Sequence, residues 1–348
     1  MVLTILADDL TGACDAGTLF AGASSVPVTV WPDPPAEAPV TVVDTESREL
    51  EREEAARRVR RAAAEVVRAD RASWFKKIDS TLRGHVGAEI AATLQATGTP
   101  SAVACPAFPA QGRVVRDRWL FVDGAPAAHV VDALRPEIDR PLAWIPLGEV
   151  RAGAAALAAR LGRLAGMIVV ADAETDADLE ALVDAALAVA PPPLLAGSAG
   201  LARPLAARLG RLAGPASLPA GRWLIVAGSL APATRRQGAE ARRAGLRVLA
   251  TPDHEEGDRT RAAAVLAAEA VRVLARESFD LVVVTGGETA LALYRALGAR
   301  RIDLAGAPGP GLALGRLQAP GRAALTVMTK AGGFGPPRLL VSLREAAA

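Results

Sequence analysis

Short runs of β-branched and other apolar residues alternate along the chain with longer alanine- and arginine-rich stretches whose apolar positions recur at helical spacing. Strands and crossover helices of a parallel sheet produce that alternation. It predicts strands at residues 2–7, 26–31, 40–43, 74–78, 102–105, 167–171 and 194–196, and a second series at 223–227, 247–250, 281–285 and 325–329. Residues 49–69 read as an amphipathic helix, with Ser47 as its cap and the pairs Glu53 to Arg57 and Glu54 to Arg58 at the favourable spacing of four.

The run Leu212-Ala213-Gly214-Pro215-Ala216-Ser217-Leu218-Pro219-Ala220-Gly221 has no apolar period, and a new strand starts straight after it. It divides the chain into domains at 1–213 and 222–348. A length of 348 residues also suits two domains better than one. Pro191-Pro192-Pro193 is a rival boundary, but the strand-like stretch after it leads into a helix and reads as one more unit of the first domain. The expected class is α/β, with two domains, each a mainly parallel sheet flanked by helices.

Composition narrows the function. A formal net charge of +2, with 22% charged residues spread through the chain, leaves no basic face of the kind that tracks a phosphate backbone. Aromatic content is 3%, with no interleaving of aromatic and basic residues for base stacking, so nucleic acid is set aside. The start Met1-Val2-Leu3-Thr4-Ile5-Leu6-Ala7-Asp8-Asp9 does not read as a signal peptide, and no apolar run reaches the length of a membrane span. A cytoplasmic protein is expected. Cys14 and Cys105 read as buried small apolar residues, and His85, His129 and His254 make no zinc cluster.

Only three of the 40 basic residues are lysine: Lys76, Lys77 and Lys330. All three stand in or beside the densest runs of reactive residues, where a compact point charge suits a single phosphate or carboxylate oxygen better than an arginine fork does. In open parallel sheets ligands bind beyond the carboxyl ends of the strands, and acids recur at those ends here. Asp44 and Asp172 read as helix caps. The run Asp8-Asp9-Leu10-Thr11-Gly12-Ala13-Cys14-Asp15 holds more acids than one cap needs, so one can orient a hydroxyl and another accept its proton or hold magnesium. In Asp79-Ser80-Thr81-Leu82-Arg83-Gly84, Asp79 and the hydroxyls suit the OH groups of a small polyhydroxy carboxylate and Arg83 suits its carboxylate; the plain alternative is an Asp79 to Arg83 ion pair. Gln111 and Arg113 follow a rigid proline loop at another strand end.

The second domain offers glycine-rich turns. Gly228-Ser229, Thr285-Gly286-Gly287-Glu288-Thr289 and Gly332-Gly333-Phe334-Gly335 each end a strand, and Gly309-Pro310-Gly311 adds a loop able to approach a ligand closely. Together they argue for a nucleotide cradle with backbone amides facing phosphate. Neither a P-loop nor a dinucleotide fingerprint is present.

Seven stretches, in order from end to end, resemble the four-carbon acid sugar kinase family: residues 7–13, Lys77-Ile78-Asp79-Ser80-Thr81-Leu82-Arg83-Gly84, Pro106-Ala107-Phe108-Pro109 with Gly112-Arg113, Ala196-Gly197-Ser198-Ala199-Gly200-Leu201-Ala202, Gly228-Ser229, Gly286-Gly287-Glu288-Thr289, and Lys330-Ala331-Gly332-Gly333-Phe334-Gly335. The resemblance implies an N-terminal acid-sugar-binding domain, a C-terminal ATP-binding domain and an active-site cleft between them. It implies Mg-ATP-dependent phosphorylation of the terminal hydroxyl of D-threonate, erythronate or a 3-oxo-tetronate. The ATP contacts would be Ser229, Gly286, Gly287, Glu288, Thr289, Gly311, Lys330 and Gly332. The acid sugar would meet Lys77, Ser80, Arg83, Gln111 and Arg113, and the base would be Asp8, Asp9 or Asp79, with Asp9 preferred. The metal ligands are left unassigned and a homodimer is left open. The chain is short for the family around residues 116–135, and His85 stands where asparagine is frequent, which bears on the substrate more than on the reaction. Two rivals remain: an NAD-dependent dehydrogenase, which needs the missing fingerprint, and a non-catalytic sugar-acid sensor, which the intact glycine turns and Lys330 oppose.

Overall fold

A computed structural model describes residues 2–67, 73–252 and 259–347. The chain forms two compact units, Met1–Phe20 with Thr29–Leu212, and Ala21–Val28 with Ala213–Ala348. The sequence pattern gives no sign that Ala21–Val28 leaves the first unit.

The strands are β1 (Leu3–Ala7), β2 (Val26–Val30), β3 (Val40–Asp44), β4 (Ser73–Lys77), β5 (Ala102–Cys105), β6 (Arg113–Arg116), β7 (Trp119–Val122), β8 (Ala125–His129), β9 (Leu142–Ile145), β10 (Ile168–Ala171) and β11 (Leu194–Gly197), then β12 (Trp223–Ala227), β13 (Arg247–Ala250), β14 (Leu281–Thr285), β15 (Arg301–Gly306), β16 (Leu312–Gln318) and β17 (Leu325–Lys330). In the first unit the order β3-β1-β4-β11-β5-β10-β9 is parallel throughout. Helices cover it because strands buried on both faces, such as β1 and β10, have no polar side to show water. Leu6 and Val43 pack against Val59, Ala63 and Val66 of the helix Arg52–Val67.

Three expectations for this unit change. The helix starts at Arg52, not residue 49, and its far end at residue 69 lies outside the described residues. Ser47 does not cap it: its hydroxyl donates to Glu89 Oε1 at 2.7 Å. Glu54 pairs with Arg57 and, at 3.9 Å, with Arg58. Asp172 and Asp44 are not helix caps either. Asp172 accepts from the backbone of Asp117 at 2.8 Å and Arg118 at 3.1 Å and from Trp144 Nε1 at 3.0 Å. It thereby anchors the turn of a small antiparallel sheet, β6-β7-β8, that the sequence pattern missed. Its strands are four or five residues long and separated by turns with positive φ at Asp117, Arg118 and Asp123, too short to show a period.

In the second unit β13-β12-β14-β17 is parallel, and β16 and β15 continue it antiparallel. β15 also pairs antiparallel with residues Val26 to Val28. Trp223, Ile225, Leu281, Val283, Met328 and Leu340 form its core. β15 and β16 escaped the sequence reading because Gly306 to Gly311 break the run between them and a bulge interrupts their register after Leu304. Among the described residues no helix is long and apolar enough to cross a membrane.

Candidate active site

β1 ends at Ala7 and delivers Asp8 and Asp9 to the carboxyl edge of the first sheet. Asp9 is the N-cap of the helix Leu10–Thr18, its Oδ1 accepting from Gly12 N at 2.9 Å. Asp8 is buried and held by Arg48, which donates from Nε to Oδ2 at 2.7 Å and from Nη2 to Oδ1 at 3.0 Å. The same Nη2 donates to Asp9 Oδ1 at 2.7 Å and stands 3.6 Å from Asp79 Oδ1. One guanidinium therefore gathers the three aspartates that the sequence put forward as base. Burial pushes the Asp8 carboxyl up, but Arg48, Lys76 and Lys77 outweigh it and hold it below the usual carboxylate range.

Sequence reasoning missed Arg48. It follows β3 by only four residues, in the Asp44-Thr45-Glu46-Ser47-Arg48 turn, so its position past a strand end was the available signal. In that turn Asp44 Oδ1 accepts from Glu46 N at 2.9 Å, and burial together with the Glu46 carboxylate pushes the Asp44 carboxyl well up. Arg48 itself is fixed by backbone: Ser47 N and Arg48 N both donate to Asp8 O, at 3.0 and 3.2 Å.

The lysines of β4 divide. Lys76 is fully buried against Glu89, Nζ to Oε2 2.6 Å, a structural pair beneath the site. Lys77 Nζ donates to Ile78 O at 2.8 Å and reaches the turn that Asp9 caps: a Cβ on Gly12 would lie 2.6 Å from Asp9 Oδ1 and 2.9 Å from Lys77 Nζ. A carboxylate and an ammonium thus flank the bare backbone of Gly12. Asp79 Oδ2 accepts from the Thr81 hydroxyl and, at 3.0 Å, from Thr81 N, while Arg83 donates from Nη2 to Oδ1 at 2.6 Å and from Nε to Oδ2 at 3.1 Å. Burial raises the Asp79 carboxyl, and the hydrogen bond from Arg83 with the charges of Arg48 and Arg83 drive it far below the usual range. The fork of Arg83 faces Asp79, which is the plain ion pair, so its two-point grip on a ligand carboxylate is not what the geometry holds. Ser80 is half-buried beside them. Gln111 and Arg113 meet each other, Arg113 Nη1 to Gln111 Oε1 at 3.0 Å, and Arg113 Nε is buried without a hydrogen-bond partner. Ser198 donates to Ala107 O at 2.6 Å and caps the helix Ala199–Arg208, which joins two of the quoted stretches.

In the second unit the strand ends also converge. A Cβ on Gly332 would stand 2.1 Å from Ser229 Oγ, and one on Gly286, whose φ is +93°, would stand 3.2 Å from Ser229 Cβ. Gly228 packs on the Thr289 side chain in the same way. Gly286 N donates to Lys330 O at 3.0 Å and Ala331 N to Gly311 O at 3.4 Å. Ser229, Gly286, Thr289, Gly311, Lys330 and Gly332 are thus brought together; Gly287 opens the helix Gly287–Ala296 and Glu288, exposed, lies in its first turn. That helix has no side-chain cap, so its first amides stay available. Lys330 ends β17 fully buried, donating to Ala331 O at 2.6 Å; burial lowers its ammonium to about 8.

Neither cysteine suggests redox chemistry, since both are buried and burial pushes the Cys105 thiol up to about 12. Among the described residues, which exclude His254, no group of three or more acids, histidines or cysteines could hold a metal ion.

A family described as a sugar-binding N-terminal domain matches residues 3–205, and one described as a nucleotide-binding C-terminal domain matches residues 247–340. A D-threonate kinase of Bordetella bronchiseptica is 34% identical over 98% of this chain and 96% of its own. A 3-oxo-tetronate kinase of Cupriavidus necator is 31% identical over 97% and 95%. Among solved structures, Haemophilus influenzae protein HI1011 superposes with a TM-score of 0.75 at 20% identity, covering 99% of this chain and 98% of that one, and shows the fold. A domain of unknown function from Bordetella bronchiseptica, a domain-swapped dimer with bound citrate, is 31% identical with a TM-score of 0.52, covering 99% and 98%. With family matches over residues 3–205 and 247–340 and a relative aligned over almost the whole length, the chain belongs to the four-carbon acid sugar kinase family.

Proposed function

We propose that the protein transfers the γ-phosphoryl group of ATP to the terminal hydroxyl of a four-carbon acid sugar, D-threonate first, with erythronate and 3-oxo-tetronates as the neighbouring choices. The observation that carries the assignment of roles is the difference among the three aspartates. Asp8 has both oxygens on Arg48, and Asp79 has both on Arg83. Asp9 has hydrogen bonds at Oδ1 only, and among the described residues Oδ2 has no donor. A general base needs an open lone pair within reach of the proton it takes, and Asp9 supplies it.

In this reading Asp9 Oδ2 accepts the proton of the substrate hydroxyl as its oxygen bonds to the γ-phosphorus and the bond to the ADP oxygen breaks. Lys77, next to Asp9, offsets charge on the acceptor side, and Lys330 does so on the phosphate side. Catalysis of this kind is mostly positioning and charge neutralisation. Arg48 keeps Asp8 and Asp79 ionised and orients Asp9 through its Oδ1, and Ser80 serves the substrate hydroxyls. Arg113, with its buried unpartnered Nε, is better placed than Arg83 to take the carboxylate. The amides of Gly287, Thr289 and Gly332, with Ser229, Gly286, Gly311 and Glu288 around them, take the nucleotide. Mg2+ would supply charge neutralisation on the phosphates, arriving with ATP and held largely by phosphate and water oxygens, as is usual for this ion. A cytoplasmic location fits the use of ATP, and no nucleic acid enters the reading. The swapped dimer of the Bordetella domain supports a homodimer, which light scattering tests.

The deciding experiment incubates the purified protein with Mg-ATP and D-threonate, both erythronate enantiomers and 3-oxo-tetronates, following ADP and the mass of the product. Turnover of one acid fixes reaction and substrate. ADP release with none of them moves the substrate outside this class, and no nucleotide turnover favours a sensor.

A further inference from the structure

The loop after Lys330 shows an unusual division of its backbone groups. Lys330 Nζ donates to Ala331 O at 2.6 Å and to Gly332 O at 3.4 Å. Thr234 Oγ1 donates to Gly332 O at 2.6 Å. The two N–H groups of Gln237 Nε2 are shared among three successive carbonyls, Phe334 O at 2.9 Å, Gly335 O at 3.0 Å and Pro336 O at 3.1 Å. Thr234 and Gln237 lie one turn apart on the helix Pro232–Arg243, both fully buried. Five carbonyls of one loop are thus tied down by three side chains. Among the described residues the amides of Gly332, Gly333 and Gly335 have no acceptor, whereas Phe334 N turns back to Ala331 O at 3.3 Å.

Carbonyls held toward the protein leave the intervening amides to converge on the other side, the arrangement that binds anions through backbone N–H groups. Gln237 is not explained by packing. Its Oε1 is buried without a partner, a penalty that leucine or methionine of similar volume would avoid. The amide is present for its donor, and three carbonyls crowding Nε2 fix which end faces the loop.

From this geometry we infer that Gln237 and Thr234 are positioning residues for the ATP phosphates: from the side opposite the ligand they hold the Ala331 to Pro336 loop so that its glycine amides form a preset polyphosphate cradle. The inference rests on the second unit being the ATP-binding one. It assigns to the helix Pro232–Arg243 control of phosphate affinity without any contact to the nucleotide base or the sugar.

Full-length Gln237→Met and Thr234→Val test it, each removing a donor at nearly constant volume. Affinity for inorganic tripolyphosphate and for adenosine is measured by titration, together with KM for Mg-ATP and for the acid sugar. Gln237→Met is expected to weaken tripolyphosphate and raise the KM for ATP about tenfold or more, the scale of one or two charge-facing hydrogen bonds. Adenosine affinity and the acid-sugar KM should stay within about twofold. Thr234→Val should do the same by about threefold, and it decides the matter alone if Gln237→Met does not fold. Unchanged tripolyphosphate affinity in the folded variants overturns the inference, as does an equal loss for adenosine, the mark of general damage. Wild-type protein that binds neither ATP nor tripolyphosphate overturns the nucleotide assignment itself, a result that needs no variant.

Discussion

Lys77 Nζ approaches Gly12 so closely that the first carbon of any side chain there would lie 2.9 Å from it, and the same carbon would lie 2.6 Å from Asp9 Oδ1. Gly12 sits inside a helix without positive φ, where alanine is normally worth about 0.5–1 kcal/mol of added stability. Gly12→Ala therefore sets helix propensity against the site. The expected outcome is a thermal midpoint within a few degrees of the parent and kcat reduced at least about a hundredfold, because displacing reacting groups by an ångström is enough for that loss. A fully active variant would show that Asp9 and Lys77 do not act together.

Asp9→Asn keeps the cap hydrogen bond to Gly12 N through its side-chain oxygen and removes the base. Turnover should fall about 10²–10⁴-fold, the usual contribution of a general base, with ATP affinity unchanged by titration. Asp79→Asn should lose less in kcat and more in stability, since both of its oxygens already serve Arg83. The reverse ranking would move the base to Asp79.

Arg48→Met leaves Asp8 buried without its partner, and loss of one member of a buried ion pair costs about 3–5 kcal/mol. The pH dependence has a definite sign. Asp8 and Asp79 are held below their ordinary range in the folded protein, so the stability they contribute is complete above about pH 4 and is lost as pH falls through their folded values. In Arg48→Met the isolated carboxyl takes up a proton more readily. The gap between parent and variant in urea unfolding should accordingly narrow from pH 7 to pH 4; a constant gap would mean that Arg48 acts by packing alone.

Lys330 titrates near 8 because burial disfavours its charge. A phosphate ligand restores that charge, so ATP binding should take up a proton between about pH 8 and 9, readable as buffer-dependent heat in calorimetry. The kcat/KM for ATP should decline as pH rises through about 8, and Lys330→Met should abolish both effects. For folding the sign is the same as that of the acids, because the folded value is again the lower one: the unfolded chain holds the proton up to 10.5, so the cost of burying this charge is relieved and stability rises with pH between about 8 and 10.5.

How much the sequence disclosed follows from what each feature depends on. Strands 102–105, 223–227, 247–250 and 281–285 were legible to the residue because each is an apolar run closed by glycine, proline or a polar cluster. β6 to β8 were not, since strands of four or five residues broken by turns carry little periodicity; β9, four residues long, was missed too, and glycines and a bulge hid β15 and β16. Asp8, Asp9 and Asp79 were legible from their places at strand ends, and so were the glycine turns. Arg48 was not, because its importance arises from three carboxylates that only the parallel pairing of β1 with β3 and β4 assembles. The same holds for Gln237, an unremarkable helix residue until the loop it grips is placed against it.

All three lysines lie inside the folded protein, with Lys76 and Lys330 at 0% and Lys77 at 5% exposure. The native surface therefore offers no lysine side chain to any reagent or protease that seeks one. An endoprotease specific for lysine can cut only molecules that have opened, which makes its cleavage rate a direct clock of unfolding: at β4 for the first unit and at β17 for the second. Bound ATP should slow the cut at Lys330, and a bound acid sugar the cut at Lys76 and Lys77, so a single digestion reports the two ligands separately.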